Sequence, residues 1–170
     1  MKVCVVGMGY IGLPTALMMA SYGIETVGVD CDPKRIETLR RGQTTFQEKG
    51  LDELFAQACA NETTFTTDYP SADIYIIAVP TPFDAVSKKI DPSFVVQALR
   101  NVLNVCGKGA LAVIESTVSP GTIDRFVRPA VAEHGFVAGE DIHLVHAPER
   151  IIPGNMVYEL LHNSRIIGAD

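Results

Sequence analysis

Cysteine, long apolar runs and targeting signals are scarce in this sequence. The four cysteines, Cys4, Cys31, Cys59 and Cys106, are scattered, with no Cys-x-x-Cys pair and no histidine at ligand spacing. We therefore expect reduced thiols, no disulfide framework and no metal site. No stretch approaches the roughly 20 apolar residues of a membrane span, and the apolar run in residues 1–7 is too short for a secretory signal. These absences predict a cytoplasmic protein without a membrane partner.

Positive charge is also in deficit. The sequence has 14 lysines and arginines against 20 aspartates and glutamates, a net charge of -6. General attraction to nucleic acid is therefore excluded, and any phosphate must be bound locally. With 170 residues, of which 47% are hydrophobic, the chain is long and apolar enough to fold as one domain.

Short apolar runs alternate with helical patterns along the chain. Strands are predicted at residues 2–6, 26–30, 74–79, 110–114 and 142–145, with a weaker one at 63–66. Helices are predicted at residues 11–22 and 51–60 and after Asp32-Pro33, Asp91-Pro92 and Ser119-Pro120, with a loop at residues 80–91. This alternation is typical of βαβ units. It predicts an α/β fold of the Rossmann type, a doubly wound, mainly parallel sheet with helices on both faces.

The last of these helices carries a more detailed prediction. Ser119 is expected as its N-cap and Pro120 as its first residue, which leaves Ser116 and Thr117 free. The helical spacing predicts an inward-facing set of five apolar residues: Ile123, Phe126, Val127, Ala130 and Val131.

A glycine-rich loop follows the first predicted strand. Gly7, Gly9 and Gly12 match the G-x-G-x-x-G pattern at a strand-to-helix junction, and Asp30 closes the next strand 18 residues later. Gly7 permits the turn, Gly9 lets a diphosphate approach the backbone and Gly12 allows close packing. Asp30 would accept hydrogen bonds from the adenosine ribose and repel a 2′-phosphate, so the pattern favours NAD over NADP. Lys34 and Arg35 weaken that preference slightly, because either could reach a phosphate.

Two later segments offer the other half of a dinucleotide site. They are Val79-Pro80-Thr81-Pro82 and the hydroxyl-rich run from Glu115 to Thr122, each at the end of an apolar strand. The predicted cofactor-binding set is Gly7, Gly9, Tyr10, Ile11, Gly12, Asp30, Arg35, Val79, Pro80, Thr81, Ser116 and Thr117.

Four ordered motifs resemble the UDP-glucose/GDP-mannose dehydrogenases over the whole chain. They are Gly7-Met8-Gly9-Tyr10-Ile11-Gly12-Leu13-Pro14, Val79-Pro80-Thr81-Pro82, Glu115-Ser116-Thr117-Val118 with Pro120-Gly121-Thr122, and His146-Ala147-Pro148-Glu149-Arg150. Pro148-Glu149-Arg150 and the later Asn163-Ser164-Arg165-Ile166-Ile167-Gly168 are most similar to the branch that oxidises UDP-N-acetylmannosamine or UDP-N-acetylglucosamine.

The resemblance implies an activity and two catalytic residues. Family members oxidise the 6-hydroxyl of the sugar to a carboxylate in two NAD-dependent steps, through a thioester on a cysteine. Thr117 would position the hydrolytic water and Glu149 would act as its base. Pro153 stands where UDP-glucose members carry a second acid.

The resemblance also implies what residues 1–170 contain. The nucleophilic cysteine, the catalytic lysine and asparagine, the central helix and the UDP-sugar-binding domain of the family would lie beyond Asp170. We therefore expect an NAD-binding fragment that does not turn over UDP-sugars alone. The full-length protein is expected to be a homodimer or larger.

Three alternatives remain open at this point. The chain could be the cofactor domain of a β-hydroxyacid-type dehydrogenase, or a stand-alone NAD-binding module without catalysis. On the residues alone, Glu149 is also interpretable as a salt-bridge partner of its neighbour Arg150.

Overall fold

Strands and helices alternate along the chain in a computed structural model that describes residues 1–61 and 63–169. The first half contains β1 (Lys2–Val6), α1 (Gly12–Ser21), β2 (Glu25–Val29), α2 (Pro33–Arg40), α3 (Leu51–Cys59), β3 (Thr64–Thr66) and β4 (Ile74–Ile77). The second half contains β5 (Phe83–Asp84), β6 (Lys89–Ile90), α4 (Ser93–Leu103), β7 (Ala110–Ile114), a π-helical turn (Ile123–Val127) leading into α5 (Arg128–Glu133), β8 (Ile142–His146), α6 (Met156–His162) and β9 (Gly168–Ala169).

The main sheet has the strand order β3-β2-β1-β4-β7-β8-β9. Its pairs are parallel except for β8 with β9, which are antiparallel. The chain builds the sheet outward from β1 in one direction and from β4 in the other, so the order reverses between β1 and β4. The crevice at the carboxyl ends of these strands is where doubly wound sheets bind ligands. The predicted fold class is confirmed.

Helices cover the sheet on both faces, and β1 shows why its sequence is apolar throughout. Cys4 and Val6 belong to the hydrophobic core shared with α4 and α5, whereas Val3 and Val5 belong to the core shared with α1, α2 and α3. A central parallel strand is buried on both sides, so a continuous apolar run replaces the usual alternation. Both cores hold the carboxyl ends of β1, β4 and β7 at one edge.

The prediction that a helix begins at Ser119-Pro120 was wrong, because the helix begins later. The amide of Thr122 donates to the carbonyl of Ser119 at 3.1 Å, and Gly121 has a φ of 81°. That left-handed residue ends a turn and cannot belong to a helix, so helical backbone angles begin after it, at Thr122, and the π-helical turn begins at Ile123. Ser119 is therefore not the N-cap.

The inward face predicted for this helix was wrong at one residue. Val127, Ala130 and Val131 are buried and Ile123 packs against the core, but Phe126 is 45% exposed. The prediction assumed α-helical spacing, whereas a π-helical turn has more residues per turn and rotates Phe126 away from the core.

Loop 80–91 also contains more order than expected, because β5 and β6 form a two-stranded antiparallel ribbon. Among the described residues, no helix has the length and hydrophobicity that crossing a bilayer requires.

Candidate functional site

The glycine loop connects β1 to α1 beside the end of β4. Gly7 has a φ of 96°, and a Cβ added there would lie 2.6 Å from the carbonyl oxygen of Ala78. At Gly12 an added Cβ would lie 1.9 Å from the oxygen of Gly7. Both glycines are therefore required by the protein's own packing. At Gly9 an added Cβ would meet nothing within 4 Å, so open space faces the backbone there.

The start of α1 leaves amide groups available. Its N-cap residue, Ile11, makes no side-chain capping hydrogen bond, and the first turn carries no acidic side chain. The first N–H groups of a helix favour an anion. Here the Leu13 amide already donates to the carbonyl of Gly9 at 3.1 Å and Pro14 has no N–H, so the amides that precede Leu13 are the ones open to an anion. This end of α1 can therefore bind a phosphate group without a lysine.

Asp30 directly follows β2 and points toward the glycine loop. Its carboxylate accepts hydrogen bonds from the amide of Met8 at 2.8 Å, the amide of Asp32 at 2.9 Å and the guanidinium of Arg35 at 3.0 Å. The contact with Met8 ties the turn after β1 to the turn after β2, and the contact with Asp32 lies within the second turn. The structural role of Asp30 toward Met8 was not predicted from the sequence.

The two predicted segments of the second half-site are joined by hydrogen bonds. The hydroxyl of Ser116 donates to the carbonyl of Val79 at 2.7 Å, and the hydroxyl of Thr81 donates to the carbonyl of Thr117 at 2.8 Å. Ser116 is buried and not free, contrary to the expectation, because it closes the gap between the ends of β4 and β7. The hydroxyl of Thr117, an exposed residue, makes no hydrogen bond to any residue within 1–61 or 63–169.

Glu149 lies beside a second buried carboxylate, that of Glu115. The guanidinium of Arg165 forms ion pairs with both glutamates. Glu149 therefore does not pair with the side chain of Arg150, although the Arg150 amide donates to its Oε1 at 2.7 Å. Desolvation raises the pKa of Glu115 above its usual range, while Arg165 and the Thr15 hydroxyl act in the opposite direction.

The glycine loop is also linked to the loop that follows Glu149. The hydroxyl of Tyr10 donates to Oε2 of Glu48 at 2.5 Å, and the same oxygen accepts the amide of Gly154 at 2.9 Å. The Tyr10 ring packs on Phe46 with a centroid distance of 4.8 Å. The hydrogen bond to Glu48 is the main cause that raises the pKa of Tyr10 to about 12.

A cleft of about 410 Å³ brings these groups together. Every residue of the predicted catalytic and cofactor-binding sets lines this cleft except Gly12, which packs behind the loop. Ala78, Glu115 and Ile151 also line it and were not predicted. Glu115 stood in a recognised motif, and its position directly after an apolar strand was the available signal. Arg165 is far from the cleft residues in sequence, and no sequence signal indicated its role.

The residues present fit a dinucleotide. Open space at Gly9, the backbone amides that precede Leu13 and a carboxylate at the end of β2 meet at the cleft, and these are the groups that hold a diphosphate and an adenosine ribose in folds of this kind. The second half-site across β4 and β7 lines the same cleft.

Comparison with known proteins agrees with this geometry. Residues 1–170 match the NAD binding domain of the UDP-glucose/GDP-mannose dehydrogenase family. The chain belongs to this family. The resemblance seen in the four motifs is thereby confirmed, and the family assignment favours it over the β-hydroxyacid alternative. NAD is the cofactor of this domain.

Two relatives match nearly the whole chain, but the chain covers less than half of the length of either relative. The chain is 40% identical to a UDP-N-acetyl-D-mannosamine dehydrogenase of Methanococcus aeolicus, covering 98% of the chain and 38% of that relative. With the enzyme of the same name from Campylobacter jejuni it shares 37% identity, covering 98% of the chain and 43% of the relative.

A solved structure also matches nearly the whole chain. The UDP-N-acetyl-mannosamine dehydrogenase of Staphylococcus aureus superimposes with a TM-score of 0.94 at 43% identity, covering 99% of this chain and 42% of that one. This family member and the two sequence relatives are all more than twice as long as the part that the chain matches.

Proposed function

We propose that residues 1–170 form the NAD-binding domain of a nucleotide-sugar 6-dehydrogenase that oxidises the C6 hydroxyl of a UDP-N-acetylhexosamine to a carboxylate. UDP-N-acetylmannosamine is the favoured substrate, because the relatives from M. aeolicus and S. aureus carry that name. The observation that carries the proposal is the shared cleft, where the glycine loop and Asp30 meet Thr117 and Glu149.

The cofactor roles follow from the lining of the cleft. Gly7, Gly9, Tyr10, Ile11 and Gly12 form the loop that receives the diphosphate at the start of α1. Asp30 accepts the adenosine ribose hydroxyls, and Arg35 fixes the Asp30 carboxylate through its ion pair. The second half-site is formed by Val79, Pro80, Thr81, Ser116 and Thr117. When bound, NAD supplies the acceptor for the hydride that leaves C6.

Thr117 and Glu149 are the proposed catalytic residues for the hydrolytic half of the reaction. The Thr117 hydroxyl is exposed on the cleft and able to orient a water molecule. Glu149 is buried on the same cleft and offers a carboxylate that can accept a proton from that water. None of the described cysteines lines the cleft, so a thiol nucleophile would be contributed by another part of the complete enzyme.

The partners and location are proposed on the same basis. The UDP-sugar would bind with help from a domain outside residues 1–170, and the complete enzyme would be a cytoplasmic homodimer or larger assembly.

Cofactor binding is the first test. Isothermal titration of the 170-residue chain should show NAD binding at least about tenfold tighter than NADP, because the Asp30 carboxylate repels a 2′-phosphate. Equal affinities would contradict the role of Asp30, and no NAD binding would contradict the proposed function. A mixture of the chain, NAD and UDP-N-acetylmannosamine should form no NADH, and appreciable NADH formation would contradict the requirement for a further domain.

The role of Thr117 is tested in the complete enzyme with a matched pair of variants. Thr117→Val should slow release of the acid product on the order of tenfold or more while NAD affinity changes little, because the water loses its orienting hydroxyl. Thr67→Val, at an exposed threonine that does not line the cleft, is the control. Equal rates in the two variants would contradict the role of Thr117.

A further inference from the structure

Arg165 joins two buried carboxylates that come from different parts of the sheet. Glu115 directly follows β7, Glu149 lies in the loop after β8, and Arg165 precedes β9. Nη1 of Arg165 contacts Oε1 of Glu115 at 2.8 Å, and Nη2 contacts Oε2 of Glu149. Nη1 and Nη2 each contact a different carboxylate, so the side chain bridges two loops at the cleft.

We propose that Arg165 and Glu115 are positioning residues, with Glu115 anchoring the guanidinium that holds the Glu149 carboxylate at the cleft. This inference rests on the proposed function, in which Glu149 accepts a proton from water. Neither Arg165 nor Glu115 is assigned a step of its own.

The burial of these groups makes the arrangement selective for one geometry. The side chains of Glu115 and Glu149 are 1% and 2% exposed, and that of Arg165 is 28% exposed. Removing one partner of a buried ion pair leaves an uncompensated charge, so the three side chains constrain one another strongly. Two carboxylates share one guanidinium, and moving Arg165 toward either glutamate would leave the other without its cation.

Further hydrogen bonds complete the anchoring. The hydroxyl of Thr15, in α1, donates to the Glu115 carboxylate at 3.2 and 3.3 Å. The remaining oxygen of Glu149 accepts the amide of Arg150 at 2.7 Å. Glu115 is thus fixed to the helix that opens at the glycine loop, and Glu149 is held by one hydrogen bond and by its ion pair with Arg165. The arrangement connects α1 to the proposed base.

The guanidinium shape is essential to a bridge of this kind. A lysine keeps the positive charge but has a single ammonium on a flexible stem, and it cannot contact two carboxylates through two separate nitrogens. Arg165→Lys therefore separates bridging from charge. Arg100 is the matched control, since its guanidinium also pairs with a glutamate, Glu133, but it does not line the cleft.

Kinetics of the complete enzyme give the first readout. Arg165→Lys and Glu115→Gln should each lower kcat about tenfold or more while the KM for NAD stays within about threefold, because binding is retained and the base is misplaced. The double variant should lose little more than the worse single variant, since the residues act as one unit. Arg100→Lys should remain within about twofold. Equal kcat values for Arg165→Lys and Arg100→Lys would overturn the inference.

Carboxyl NMR of the ¹³C-glutamate-labelled chain gives a second readout that needs neither NAD nor substrate. The charged groups facing Glu115 are Arg165, which lowers its pKa, and Glu149, which raises it. Arg165→Gln should therefore raise the pKa of Glu115 further, by about one unit or more, whereas Arg100→Gln should leave it unchanged. If Arg165→Gln does not fold, Arg165→Lys should still perturb the titration. Identical titration curves for Glu115 in the folded Arg165 and Arg100 variants would overturn the bridge.

The outcomes separate the two proposals. Failure of the native chain to bind NAD would overturn the proposed function, and with it the catalytic meaning of the bridge. Normal NAD binding with an unchanged Glu115 titration would overturn this inference alone.

Discussion

Gly9→Ala and Gly12→Ala change two glycines of the same motif but should affect different properties, cofactor binding and stability. A methyl group at Gly12 would lie 1.9 Å from the Gly7 oxygen and 3.2 Å from the Ala78 side chain, whereas at Gly9 it would meet nothing within 4 Å. The Gly7 oxygen belongs to backbone that cannot rotate away. Gly12→Ala should therefore destabilise the fold, whereas Gly9→Ala should weaken only the binding of the diphosphate.

The magnitudes follow from these distances. Overpacking typically costs about 1–3 kcal/mol, and the backbone contact at Gly12 places it toward the upper end even after the gain of up to about 1 kcal/mol for alanine in a helix. A net loss of about 2 kcal/mol should lower Tm by about 4–8 °C in a domain of this size. Gly9→Ala should change stability by less than about 0.5 kcal/mol, because Gly9 does not have positive φ.

Urea unfolding and calorimetry measure both effects. Gly9→Ala should weaken NAD binding at least about tenfold, or about 1.4 kcal/mol, because the methyl group occupies the space through which the diphosphate reaches the backbone. The reasoning is refuted if Gly12→Ala unfolds like the native chain, or if Gly9→Ala binds NAD normally.

Three further predictions concern individual side chains. Asp30→Ala should lower the free energy of unfolding by about 1–3 kcal/mol, since the Met8 amide loses its partner, and urea unfolding would contradict this if the midpoint were unchanged. Glu48→Gln should bring the pKa of Tyr10 down from about 12, which an ultraviolet titration against exposed Tyr22 would detect. Burial raises the pKa of Cys4 to about 12, so a thiol reagent at mildly alkaline pH should label exposed Cys31 and spare Cys4 until unfolding. Labelling of Cys4 in the native protein would contradict its burial.

Cys4 also sets a direction for stability at high pH. The folded thiol keeps its proton at pH values where the unfolded thiol, with an ordinary pKa of 9.0, has lost it. The folded state therefore binds more protons between pH 9.0 and about 12, and stability should fall as pH rises through that window. Cys4→Ala should reduce this slope in a series of unfolding measurements.

Features encoded within a short stretch of sequence could be predicted. The spacing of Gly7, Gly9 and Gly12 is recognisable within six residues of sequence, although Ala78 and Asp30 also constrain the folded loop. The apolar sequences of β1 and β7 indicate burial on both faces, and their predicted bounds, Lys2–Val6 and Ala110–Ile114, were correct. The family and fold followed from such local patterns in the right order.

Features that depend on distant partners could not be predicted. Arg165 is 50 residues from Glu115, and no periodicity connects them. The sequence predicts a free Ser116 because its acceptor, the Val79 carbonyl, becomes a neighbour only when β4 and β7 pair. The sequence places Phe126 wrongly because a π-helical turn changes residue spacing without a recognisable sequence signal.

Asp30 accepts three hydrogen bonds, and these contacts limit how this domain could be redesigned for a cofactor with an additional phosphate. Exchanging the aspartate for a small neutral residue removes the repulsion and releases Arg35 as a cation for the extra phosphate, but it also withdraws support from the peptide at Met8. A serine or asparagine, which retains an oxygen acceptor, is the better starting point. Cofactor preference and loop integrity have to be engineered together here.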